Sequence, residues 1–212
     1  MLLQVLFCVF LLFILVFARP DLWYSHHYEY RQFRIHTNEP LEEGWEQDAD
    51  KAIRISSSCP WHDSAYIHNV YLIPGGPHHW LFAFMHRQVD GVNIPLLDAY
   101  FMRDNRIKAR SVGHEMVHTW QERHLGFWKY VCLEGWIREG YAYYLEIPPR
   151  RNLELSREEQ EQLLELNDSK ACLGYLLQRY REEVVVGYLL DHEGLSPEEV
   201  HSPEDYDFCR AE

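Results

Sequence analysis

The pentapeptide His114-Glu115-Met116-Val117-His118 restricts this chain more than any other feature. Two histidines four apart reach one ion when the segment is helical, because a helix stacks residues i and i+4 on one face, one turn apart. Glu115, beside the first histidine, is then placed to accept a proton from a metal-bound water. The flanks agree with a partly buried helix. Residues 105–112 contain no Pro, and Gly113 is the one weak helix former before the motif. Val112, Met116, Val117 and Trp120 make an apolar stripe, Gln121, Glu122 and Arg123 are polar, and Gly126 marks the stop.

A catalytic zinc takes three protein ligands and keeps one position for water. Two residues compete for the third place. His124 follows His118 at the spacing seen in metzincins, which carry Gly where this chain has Gln121. That Gly lets the backbone turn so that the last His swings back to the metal. In an unbroken helix, at roughly 100° per residue, His124 sits about 240° around from His118 and points away. Metzincins also place a Met-containing turn downstream of the helix, and the last methionine here is Met116. The second candidate is Glu139, in Leu133-Glu134-Gly135-Trp136-Ile137-Arg138-Glu139-Gly140-Tyr141-Ala142.

His-Glu-Met-Val-His-Thr-Trp followed by Trp-Ile-Arg-Glu-Gly-Tyr-Ala resembles the gluzincin (thermolysin and aminopeptidase N-like) zinc metallopeptidases, and the aminopeptidase N-type branch in particular. The resemblance covers residues 113–146. It implies His114 and His118 as zinc ligands, Glu139 on a second helix as the third, and Glu115 as general base. Trp120 and Trp136 become framework aromatics. Residues 119–138 separate His118 from Glu139, slightly more than the family's usual interval, so the connecting loop is expected to be longer. Glu134 is the reserve ligand. The motif that anchors a substrate amino terminus in that branch has no copy here, so exopeptidase specificity does not transfer. The stretch Tyr180–Leu190 is similar to the family's helix after the third ligand, which has a Tyr near its start. The implied oxyanion donor is Tyr180, with Tyr143 as the alternative, one turn beyond Glu139 on the same face.

With 212 residues, 47% of them hydrophobic, the chain can bury one sizeable core, and one domain over residues 19–212 is expected. A net charge of -13 without a Lys/Arg stripe argues against nucleic acid, whose phosphates demand clustered cations. Leu2–Ala18 is apolar apart from Gln4 and then meets Arg19-Pro20. Residues 1–18 read as a signal peptide ending in Val16-Phe17-Ala18, or as a short membrane anchor. The body is therefore expected outside the cytoplasm, secreted or held to a membrane through residues 2–18. Arg19 following an uncharged run is the arrangement that would instead leave an uncleaved body in the cytoplasm. Cys8 lies in that segment. Cys59, Cys132, Cys172 and Cys209 permit three pairings or stay as buried thiols, and none has CxxC spacing.

Tyr30–Thr37 and Tyr66–Ile73 read as strands and Glu42–Ser56 as a helix, while Trp80–Met85 and Leu97–Met102 are β-rich runs flanking the turn Val89-Asp90-Gly91. One of the last two is expected to be the sheet edge above the metal, where zincins hold an extended peptide by strand addition. Ser156-x-x-Glu159 opens a helix, Ser169–His192 reads as one long helix, and Ser196-Pro197 starts a short terminal one. The pairs His26-His27 and His78-His79, and the single His62 and His68, are placed outside the site. The expected fold is α+β and zincin-like, an amino-terminal mixed sheet with the active-site helix, then a helical carboxy-terminal part.

The expected function is zinc-dependent hydrolysis of peptide bonds in a peptide or protein substrate, with metal-activated water and Glu115 as base. The alternative is an exported, non-catalytic binding protein whose zinc site is structural or degenerate, its Trp and Tyr residues around Glu139 forming a recognition surface. A fourth protein ligand would mark that second case.

Overall fold

The computed structural model describes residues 20–73, 91–94, 99–146, 155–166 and 169–202. The segment 1–18, the run Trp80–Met85, Val89-Asp90 of the turn, the pair His78-His79 and Cys209 lie outside the described residues. Two compact units divide the chain, Met1–His124 and Leu125–Glu212.

The first unit is a five-stranded mixed sheet with two long helices. A hairpin, β1 (His26–Tyr30) and β2 (Phe33–Thr37), is followed by helix α1 (Trp45–Ser56), β3 (His68–Leu72), β4 (Gly91–Ile94), β5 (Ala99–Met102) and helix α2 (Ala109–Leu125). The strand order is β1-β2-β3-β5-β4, parallel in the middle and antiparallel at both edges. The central strands are near-continuous apolar runs because both faces are covered. Phe33, Ile35, Val70, Leu72, Tyr100 and Met102 meet Ala49 and Ala52 of α1 and Val112 and Met116 of α2. On the other face Tyr71, Ile73, Ala99 and Phe101 pack with Tyr24.

Two expectations need correction. Among the described residues the edge strand beside the run Leu97–Met102 is β4, Gly91–Ile94; that run contributes β5, which lies inside the sheet, while the other run expected to supply the edge, Trp80–Met85, lies outside the described residues. Gly and Asn are poor strand formers, so the pattern hides β4; pairing with β5 makes it. Gly91 fits there because a Cβ would stand 2.8 Å from Met102 Sδ. The strand over Tyr30–Thr37 is also only half of a hairpin. Its partner β1 begins at His26, and the turn runs through Arg31 at φ +50°.

The second unit is helical: α3 (Phe127–Cys132), α4 (Gly135–Glu146), α5 (Arg157–Leu166), α6 (Ser169–Arg179), α7 (Glu182–Gly187), a π-helical turn (Tyr188–His192) and α8 (Pro197–Val200). Ser156 and Glu159 cap α5 reciprocally, and Ser196 and Glu199 cap α8 in the same way. The single helix expected over Ser169–His192 is broken instead. Arg181 adopts an extended conformation as the cap of α7, and the last turn widens. Helix α7 reaches α4 closely at Gly140, where a Cβ would lie 2.9 Å from the Glu182 carbonyl oxygen.

Among the described residues the architecture is α+β, with one mixed sheet and eight α-helices. Cys59 and Cys172 are buried thiols and Cys132 is exposed, with no disulfide among them. No helix of the described residues is long and apolar enough to cross a membrane.

Candidate metal centre

Helix α2 presses its apolar stripe into the sheet, and Gly113 sets how closely it can come to α1. A Cβ there would stand 2.9 Å from Ile55 Cβ and 3.2 Å from the Ala52 carbonyl oxygen. This packing buries the first turn of the motif. His114 and His118 are 7% and 4% exposed, and their Nε2 atoms lie 3.1 Å apart with the rings nearly perpendicular. Two nitrogens about 2.05 Å from a tetrahedral ion stand about 3.3 Å from each other. The pair is therefore spaced close to a ligand edge.

Gln121 orients one of these rings. Its side-chain oxygen lies 2.9 Å from His118 Nδ1, so that nitrogen donates its proton and the lone pair sits on Nε2. Gln121 is fully buried for this task. The same residue stands where a metzincin would have Gly. Helix α2 accordingly runs unbroken to Leu125, and the His124 ring stacks on Trp61 at 4.3 Å and 10°.

Glu115 is held by the sheet edge. The main-chain N–H of Asn93 in β4 donates to Glu115 Oε2 at 3.1 Å, and the Asn93 amide donates to the Glu115 carbonyl oxygen at 3.4 Å. The same amide donates to Thr119 Oγ1 at 3.2 Å. Thr119 Oγ1 is 2.5 Å from the Tyr100 hydroxyl, which is 2.5 Å from His68 Nδ1. A polar chain thus runs from the edge strand into the core. Burial pushes the imidazole of His68 down to about 3, with His62 and Arg123 adding to the effect, so it is a neutral hydrogen-bonding group. Trp120 packs edge-on against His62, Tyr66 and His68, a framework role.

In the second unit Glu139 lies on α4, half-buried, and accepts from Arg138 Nε at 3.3 Å. The Glu182 carboxyl is raised above its ordinary value by burial, then by the charges of Glu139 and Glu183. A cation beside Glu139 would relieve that repulsion. Glu134, expected as a reserve ligand, accepts the Trp136 indole N–H at 2.8 Å. Tyr143 is 38% exposed on α4. The Tyr180 hydroxyl donates to Glu159, and this bond pushes the phenol up to about 12.

Three contributors escaped the sequence pattern: Asn93, Gln121 and Glu182. Gln121 carries a weak signal, three residues after His118 on one helix face. Asn93 and Glu182 carry none, since only tertiary packing brings them to their partners. No family model matches the chain, nor does any curated protein or solved structure.

Proposed function

We propose that the protein is a zinc-dependent peptidase of gluzincin type, with His114, His118 and Glu139 holding the metal. The observation that carries this reading is the buried histidine pair, its Nε2 atoms 3.1 Å apart and one ring oriented by Gln121. The donor set supports it as well. His114 and His118 present two imidazoles from one helix, and Glu139 on α4 is the carboxylate that the resemblance supplies. Two imidazoles and a carboxylate are the ligands of choice for a catalytic zinc with an open position.

When bound, zinc would lower the pKa of a water from about 15.7 toward 7 and polarise the scissile carbonyl. The protein's own groups do the rest. Glu115 accepts the proton of the attacking water and passes it to the leaving amine. Asn93 fixes one oxygen of that carboxylate, so the other is oriented before the substrate arrives. An extended peptide adds to the β4 edge by main-chain hydrogen bonds. A tyrosine hydroxyl donates to the developing oxyanion. Tyr180, which would have to leave Glu159 to do so, and Tyr143 are the two candidates; kcat of Tyr143→Phe against Tyr180→Phe assigns the role.

A peptidase assay on a peptide mixture, with chelator and zinc restoration, tests the reading. Chelator-reversible cleavage is expected, and Glu115→Gln should keep the metal while losing turnover. Zinc bound tightly without cleavage would favour the non-catalytic binding protein instead.

A further inference from the structure

We propose a second metal site on the β1–β2 hairpin, formed by His27 and His36 and suited to a cation of tetragonal preference such as Cu(II). The two residues oppose each other directly across the antiparallel ladder. Opposed Cβ atoms are about 4.5–5.5 Å apart, close enough for both imidazoles to converge. They do converge: the Nδ1 atoms lie 2.8 Å apart, with the rings at 77°. Two nitrogens about 2.0 Å from an ion and at a right angle stand about 2.8 Å apart, the cis edge of a square-planar site. The spacing at His114 and His118 is wider, toward the tetrahedral edge.

The hairpin pair is half fixed in advance. His36 is buried and stacks on Tyr71 at 4.6 Å and 12°, and Tyr71 stacks in turn on Phe101 at 5.0 Å. His27 is exposed and leaves the pair open to solvent. The ordering cost of binding therefore falls on one side chain. Without metal, one ring donates its Nδ1–H to the other. Ligation through both Nδ1 atoms moves that proton to Nε2 of the same ring, so no proton has to be lost.

The test uses the full chain stripped of metal, in a His114→Ala/His118→Ala background that silences the other pair. It is titrated with Cu(II) alone and followed by visible absorption and electron paramagnetic resonance. A Cu(II) signal with two imidazole nitrogens is expected to persist in this background, to vanish in His27→Ala, and to survive His26→Ala. A signal unchanged by His27→Ala overturns the proposal, as does equal loss with His26→Ala, which would mean adventitious binding. Complete loss of Cu(II) in the double-variant background would also overturn it while leaving the zinc reading intact. Circular dichroism of His27→Ala checks that the fold is kept.

Discussion

Asn93 binds Glu115 twice, through its main-chain N–H to the carboxylate at 3.1 Å and through its side-chain amide to the carbonyl oxygen at 3.4 Å. The edge strand and the motif helix are thereby locked in register, and the Glu115 carboxylate is aimed by backbone. Asn93→Ala keeps the first bond and deletes the second, along with the contact to Thr119. Loss of about 1 kcal/mol of stability is expected, each such bond being worth about 0.5–1.5 kcal/mol. Urea titration should show a lower midpoint at an unchanged slope, with zinc content unaltered.

Gln121→Leu removes the acceptor that sets the His118 tautomer. Losing a partner that orients a ligating ring costs roughly 10–100-fold in metal affinity. Competition with a chromophoric chelator should report a loss of that order. An affinity equal to the native value would mean that Gln121 only fills space.

Gly113 is where α2 closes on α1, and a methyl group would press on Ile55 Cβ and the Ala52 carbonyl. Ala is the better helix former by about 1 kcal/mol, yet overpacking costs about 1–3 kcal/mol. Gly113→Ala is expected to lower the unfolding midpoint on balance. A raised midpoint would show that the helices can part without cost.

His36 and His68 are both held down by burial, to about 4 and about 3. In the unfolded chain they titrate near ~6.5, so between these values the unfolded state binds more protons and stability rises with pH. Their contribution is complete above about pH 6.5 and is lost as the pH falls toward 4 and below. Urea midpoints measured in chelator should fall from pH 7 to pH 5, and His68→Gln should flatten the slope.

Much of the candidate metal centre is legible in the sequence because it is local. A helix fixes His114 and His118 on one face by spacing alone, and the same geometry turns His124 away to Trp61. The capping box at Ser156 and the helix start at Ser196 are equally local and appear where expected. The edge strand is different. Gly91-Val92-Asn93-Ile94 has neither length nor propensity, and it is a strand because β5 pairs with it. The break at Arg181 follows the same logic, as α7 is positioned by its close approach to Gly140 rather than by continuing α6. His27 and His36 have no ligand spacing in the sequence, and only the register of β1 against β2 puts them face to face.

Zinc content per chain, measured by elemental mass spectrometry in the native protein, Glu139→Ala and His124→Ala, is the most direct test of the metal assignment. The native protein and His124→Ala should retain zinc, and Glu139→Ala should lose it. Zinc retained in Glu139→Ala and lost in His124→Ala would contradict the account.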